Sequence, residues 1–362
     1  MHSLLFPLAL LLPIAQASGS DRNTVKAEKA FGKENYDKAL KKCSKALDQD
    51  STNSRAAAVC GTVLYLWGSA EGDSDLAQAG SNLLDGVAMS SPDQPFLQLY
   101  RQIRGAALIQ APNFPCGETE NQAWEQAEQA FMRQDMVAAR KHYQVAAKGC
   151  ENPTLWTYYG DSYFADQDFE QAFLAYEHAL EIDPYHWPAL RFMGDGYVSQ
   201  QDQETGYRWV AKSLAANPVY EYAWIYLDDQ LDPRVKQVRG VSVPTVTAGG
   251  MFVDPEGGQP PFTGDVRMIY QIGMQDPEGQ GSSDERRLNA LEMSLVFVEE
   301  NGKLEEPGME LWALLAEARE AGHFEEAVFI LLLNQDMVPA FVDYRDGHME
   351  SLTDYVVSLL QR

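Results

Sequence analysis

The sequence predicts a mostly α-helical protein: a superhelical array of helix–turn–helix units, then a Gly/Pro-rich segment with a β-hairpin, then a small C-terminal helical domain. Three observations predict it. Between Pro153 and Ile182 apolar residues return every three or four positions, the period of a helix with one buried face, and the period breaks at the polar turn Asp166–Asp168. Gly160, Ala172 and Ala179 are small where helices must approach closely, Tyr163, Phe169 and Tyr176 fill the space between, and Asp183-Pro184 stops the second helix. The arrangement then recurs 34 residues on, where Leu190, Gly194, Tyr197, Gly206, Val210, Ser213 and Pro218 take the places of Trp156, Gly160, Tyr163, Ala172, Tyr176, Ala179 and Pro184.

This spacing resembles the tetratricopeptide repeat, with Tyr159 standing for the usual leucine and Tyr176 for the usual phenylalanine. The resemblance implies an array over residues 18–230, densest over 120–220. In chain order, Met1–Ala17 reads as a signal peptide: an apolar run from Leu4 to Ile14, too short to span a bilayer, precedes the small–x–small site Ala15-Gln16-Ala17. The first unit follows with Ala27, Ala30, Tyr36, Ala39, Cys43 and Ala46. A second needs an insertion at 68–75 to join Gly61 and Leu64 to Leu84, Val87 and Pro92. A helix at 94–110 and a loop to about 118 break the period, and Ala127, Ala130, Met136, Ala139, Tyr143 and Ala146 resume it. The segment 220–230 is expected to cap the last unit, so that 120–230 folds alone.

Past Asp232 the composition changes. Residues 231–282 read as a Gly/Pro-rich linker in which "VRGVSVPTV" (238–246) and "VRMIYQIGM" (266–274) have strand character and pair as a hairpin. Ser282-x-x-Glu285 opens a helix to about Glu300, Leu315 to Leu331 forms one more helix–turn–helix, and "SLTDYVVSLLQR" is a last amphipathic helix. Residues 283–362 are therefore expected to form their own small domain.

Charge narrows the partners. Lys plus Arg number 28 against 53 Asp plus Glu, a net charge of −25 that repels phosphate backbones and anionic lipid. The expected partner is a protein or peptide, favouring basic ones, with no nucleic acid and no membrane insertion after signal cleavage. Export, to a periplasmic or extracellular space, makes disulfides the leading reading of Cys43, Cys60, Cys116 and Cys150; the competing reading is four separate buried thiols. In the repeat topology Cys43 and Cys60 fall on helices that pack side by side, and Cys116 and Cys150 at ends that come together. The expected pairs are Cys43–Cys60 and Cys116–Cys150.

No constellation supports a reaction. The six histidines lack HExxH or i,i+4 partners for a metal, and there is no GxSxG elbow, GK[ST] loop or GxGxxG. No cofactor is expected. One pattern suits binding. In the family the first helix of each pair lines the concave groove, and one residue beyond its small residue stand Glu28, Glu128, Asp161 and Asp195. Only the insertion-bearing unit departs, with Thr62; three further on come Phe31, Tyr65, Phe131, Phe164 and Val198. A carboxylate row beside an apolar row suits an extended peptide with basic and apolar side chains, the acids being expected to stand exposed. The competing reading is that the acids only share the chain's acidic excess. The sequence thus reads as a non-enzymatic exported scaffold; the alternatives are the recruiting arm of an enzyme housed in 231–362, or a structural subunit of an envelope assembly.

Overall fold

A computed structural model describes residues 19–33, 35–71, 109, 112–239, 241, 245–246, 252–253, 261–275, 283–333 and 337–360, with isolated positions between 76 and 99. The expected signal peptide and most of the helix expected at 94–110 lie outside these residues. The chain forms two compact units, 1–97 and 98–362.

The first unit holds α1 (Gly19–Phe31), α2 (Tyr36–Gln49) and α3 (Ser54–Glu71). Ala27, Ala30, Ala39, Cys43 and Ala46 are all buried between the helices, as their phase requires. Cys43 on α2 is joined to Cys60 on α3, with Cα atoms 5.6 Å apart. At Gly61 a Cβ would lie 2.5 Å from Leu84 Cγ and 2.9 Å from the Gly80 carbonyl, so only glycine fits this crossing. Gly61 and Leu84 therefore meet as the insertion-bearing unit requires.

The second unit continues with α4 (Glu118–Met132), α5 (Met136–Ala147), α6 (Pro153–Phe164), α7 (Phe169–Ile182), α8 (Trp187–Ser199) and α9 (Gln203–Ala216). Each pair is joined by the same turn. Gln134, Gln167 and Gln201 take left-handed φ of 62°, 61° and 68°, and the aspartate that follows caps the next helix. Asp135, Asp168 and Asp202 accept hydrogen bonds from the amides of Ala138, Gln171 and Thr205 at 3.0, 3.3 and 3.2 Å. Cys116, ahead of α4, is joined to Cys150, past the end of α5, with Cα atoms 5.0 Å apart.

Beyond the repeats lie α10 (Glu221–Leu227), α11 (Pro233–Val238), β1 (Thr245–Val246), β2 (Phe252–Val253), α12 (Gly264–Gly273), α13 (Ser283–Glu300), α14 (Glu310–Glu320), α15 (Phe324–Leu332) and α16 (Val338–Ser358), the last kinked at His348. The expected hairpin does not form. Residues 266–273 lie in α12, with Met274 at its C-terminal end; Val266, Tyr270 and Gly273 are buried at helical spacing and a Cβ on Gly273 would sit 2.6 Å from Ala290 Cα. Close packing against α13 thus overrides the strand-like composition. Thr245–Val246 pairs instead with Phe252–Val253 in a two-residue antiparallel ladder.

Residues 283–362 do not make a core of their own. One core runs from Val210 and Leu214 on α9, through Trp224 and Leu227 on α10, to Trp312, Leu331, Phe341, Leu352 and Val356. Arg345 on α16 donates to the Ala216 carbonyl at 2.9 Å, and Arg208 on α9 reaches Asp354 and Glu350 at 2.7 and 2.8 Å. The segment 220–230 is covered rather than terminal, and α16 packs directly on α9.

Candidate functional site

The row of acids is traced within each unit. In the first, Glu28 is held by Arg55, whose Nε and Nη2 donate to its two oxygens at 2.6 and 2.8 Å. Phe31 packs edge-on against Phe96 at 5.2 Å and tilted over Tyr36 at 6.0 Å, and Tyr65 is half-buried.

In the second unit, Glu128, Asp161 and Asp195 stand on α4, α6 and α8, the first helices of successive pairs. None is freely exposed, contrary to the expectation. The small residue before each lets the second helix come close enough to meet the carboxylate. Tyr143 on α5 donates to Glu128 Oε1 at 2.5 Å, with the Trp124 indole N–H at 3.1 Å on the same oxygen. Tyr176 on α7 donates to Asp161 Oδ1 at 2.7 Å, and both tyrosines are fully buried. Each tyrosine stands 15 residues after its acid, so the tyrosine that replaces the family's phenylalanine supplies the hydroxyl that holds it. At the same offset from Asp195 stands Val210, and Asp195 turns instead to Arg191, one helical turn back, with Nη2 to Oδ2 at 3.0 Å.

Arg191 places a cation in the acidic row. Its guanidinium lies 4.2 Å from the Phe192 ring centroid, its Nε is buried without a hydrogen-bond partner, and so is Asp195 Oδ1. The aromatic partners of this cluster are tyrosines: Tyr158 on α6, 38% exposed, and Tyr220, Tyr222 and Tyr226 around and on α10. Tyr220 and Tyr222 stack edge to face at 5.7 Å. The expected apolar row turns inward: Phe131 packs half-buried on the Ala127–Tyr143 core, and Phe164 meets Phe169 edge-on at 5.5 Å.

Burial pushes the Asp161 carboxyl up to about 7, against the pull of Tyr176 and Arg191 and with the added push of Asp195 and Glu128. Burial likewise pushes Asp195 up to about 6, while Arg191 and Tyr226 oppose it. Tyr226 comes close enough to favour the charged carboxylate without reaching Oδ1 in hydrogen-bonding geometry. Because the folded value is raised, the protonated acid favours the fold; that stability is fully present below the unfolded value of 3.8 and is lost as pH rises through about 7. Asp161→Asn, which keeps an acceptor for Tyr176, should therefore gain on the parent between about pH 4 and pH 8. The expected gain is about 2 kcal/mol, roughly half the value of such a shift at about 1.4 kcal/mol per unit, discounted for water at the groove. Urea unfolding at both pH values measures it; a difference that does not grow with pH refutes the assignment.

The tetratricopeptide-repeat family model matches residues 153–186, the unit made of α6, α7 and the turn before α8. No curated protein matches the chain. Among solved structures it is similar to the TPR2AB domain of yeast Sti1 in complex with pHSP90, at 13% identity over 58% of this chain and 92% of that one, TM-score 0.26. It is similar also to the MamA protein, 18% over 59% and 98%, TM-score 0.23, and to the P58(IPK) TPR domain, 14% over 94% and 98%, TM-score 0.27. Superpositions this loose carry no argument about a site or a partner. The repeat match at 153–186, together with the phased small residues and shared turns of α4–α9, shows an array of helix pairs of the tetratricopeptide kind and supports a protein-interaction scaffold.

Proposed function

We propose that the protein is a non-enzymatic exported scaffold whose face formed by α4, α6, α8 and α10 takes an extended segment of a basic protein or peptide. The observation that carries this reading is the row Glu128, Asp161 and Asp195, in which burial and the two neighbouring acids raise the cost of ionising Asp161 and, among the described residues, Arg191 is the one cation that pairs with the row. A row of like charges that weakens the free fold gains from a bound cation. Tyr158 and Ile225, 38% and 40% exposed, offer apolar contact beside it. Export is supported by the two cysteine pairs, which persist in oxidising compartments.

The test is an array of random nine-residue peptides probed with the full chain. The bound set should be enriched in lysine and arginine, and binding should weaken with salt, since the attraction of an acidic face for an approaching cation is screened over about 8–10 Å. Changing Glu128→Gln, Asp161→Asn and Asp195→Asn together should lower binding about tenfold or more, the scale of one lost charge-assisted contact. The control changes three exposed acids on second helices, Glu170, Glu177 and Glu204, to glutamine. Equal loss in the control, or a bound set without basic enrichment, overturns the proposal.

A further inference from the structure

Resting on that reading, we infer that the cluster between α6, α8 and α10 is a pocket for one arginine side chain of the bound segment, set between Asp161 and Asp195 and flanked by Tyr158, Tyr220 and Tyr222. Four observations converge on it. Asp195 Oδ1 is buried with no donor in hydrogen-bonding geometry, its sister oxygen is engaged by Arg191 at 3.0 Å, and Tyr226 stands near the carboxylate without completing its bonding. A buried carboxylate oxygen left without a donor is costly, and natural folds keep such atoms where something else supplies the donor. Second, Asp161 and Asp195 share one guanidinium while Glu128 lies within electrostatic reach of Asp161, so acids outnumber cations in the cluster. Third, Tyr158, Tyr220 and Tyr222 lie within electrostatic reach of one another, and of Asp161 in the case of Tyr158 and of Arg191 for the other two. Aromatic faces beside acids favour a flat, weakly hydrated cation, which is arginine rather than lysine.

The fourth observation is Arg191 itself. It already does in the free protein what the ligand would do: its guanidinium lies on the Phe192 ring and pairs with Asp195. Its Nε remains buried and unpartnered, so this internal fit is incomplete. Arg191 thus competes with an incoming arginine for Asp195 while repelling it. Removing Arg191 should strengthen binding.

The experiment titrates the full chain, with isotope-labelled tyrosine rings, against three small probes at pH 8, where both aspartates are ionised. The probes are the N-acetyl methylamides of arginine, lysine and citrulline, the last being the neutral isostere of arginine. Tyr158, Tyr220 and Tyr222 are assigned by single changes to phenylalanine. The arginine probe should shift all three rings and bind about tenfold tighter than citrulline. Asp195→Asn should abolish that preference, and Arg191→Gln should tighten arginine binding severalfold, a gain that a misfolded variant does not produce. Equal binding of lysine and arginine, or weaker binding in Arg191→Gln, overturns the inference. If the peptide array shows binding while the three rings do not respond, the pocket falls and the groove stands. Rings that respond to arginine while the array stays silent keep the pocket and remove the extended-segment reading. Silence in both removes both.

Discussion

Ending the chain at Gln230 should leave a fragment that no longer folds cooperatively at its C-terminal end. The repeat pattern alone predicts that 120–230 is a capped, independent array; a fragment of residues 112–230 also keeps Cys116 and the start of α4. The packing predicts the opposite. Val210, Leu214, Trp224 and Leu227 are buried in one core with Trp312, Leu331, Phe341, Leu352 and Val356. Each such side chain loses about 1.5–3 kcal/mol when returned to water, and together they reach the range of about 5–15 kcal/mol by which a domain is stable. Truncation also strips Arg208 and Lys212 of Glu350 and Asp354, and the Ala216 carbonyl of Arg345. The fragment should bind a hydrophobic dye and lose amide protection across α8–α10 while α6 and α7 keep theirs. The same fragment lengthened to Leu360 should restore both. A fragment that melts at the temperature of the longer chain, with α8–α10 protected, would show that the C-terminal helices cap nothing.

What the sequence could show follows from what each feature depends on. Small residues at Gly160, Ala172, Gly194 and Gly206 were legible because a helix crossing tolerates nothing larger: a Cβ on Gly194 would meet the Gly206 carbonyl at 2.7 Å. The turns were legible too, since a capping aspartate follows a glutamine at Gln134, Gln167 and Gln201 alike. The same phase marks the acid row but not its burial. The sign was present in the sequence, in the tyrosines standing 15 residues after Glu128 and Asp161, where a purely apolar core needs no hydroxyl. Arg191 lies outside that repeat phase, because its guanidinium arrives from a turn earlier on α8. Residues 266–274 misled by composition: Val, Ile and Tyr read as strand, whereas Gly273 against Ala290 requires a helix pair. The docking of α16 on α9 joins residues 129 apart, as in Arg345 to Ala216, and no local pattern announces such a contact.

Breaking the cysteine pairs should give the second large effect, and the two units should respond separately. The Cys43–Cys60 bridge closes 17 residues and the Cys116–Cys150 bridge 34. Loop-closure entropy assigns them about 3 and about 4 kcal/mol of stability respectively, because cross-linking removes open conformations from the unfolded chain. Cys43 is fully buried between α1, α2 and α3, where serine would leave a hydroxyl to satisfy, so Cys43→Ala with Cys60→Ala isolates the bridge better than serine does. The same holds for Cys116→Ala with Cys150→Ala. Each double variant should lower the unfolding free energy in urea by about its loop's value, and mild reduction of the parent should reproduce both losses. The two readouts are independent: loss in the first pair should leave amide protection in α6–α9 unchanged. Peptide mapping without reductant should recover the two predicted pairs from protein purified from its native source. Four free thiols in that protein would remove both bridges and, with them, the ground on which export is proposed. Two bridges with no stability change on reduction would instead place the closure of these loops in the unfolded chain already, through residual contacts of α2 with α3 and of α4 with α5.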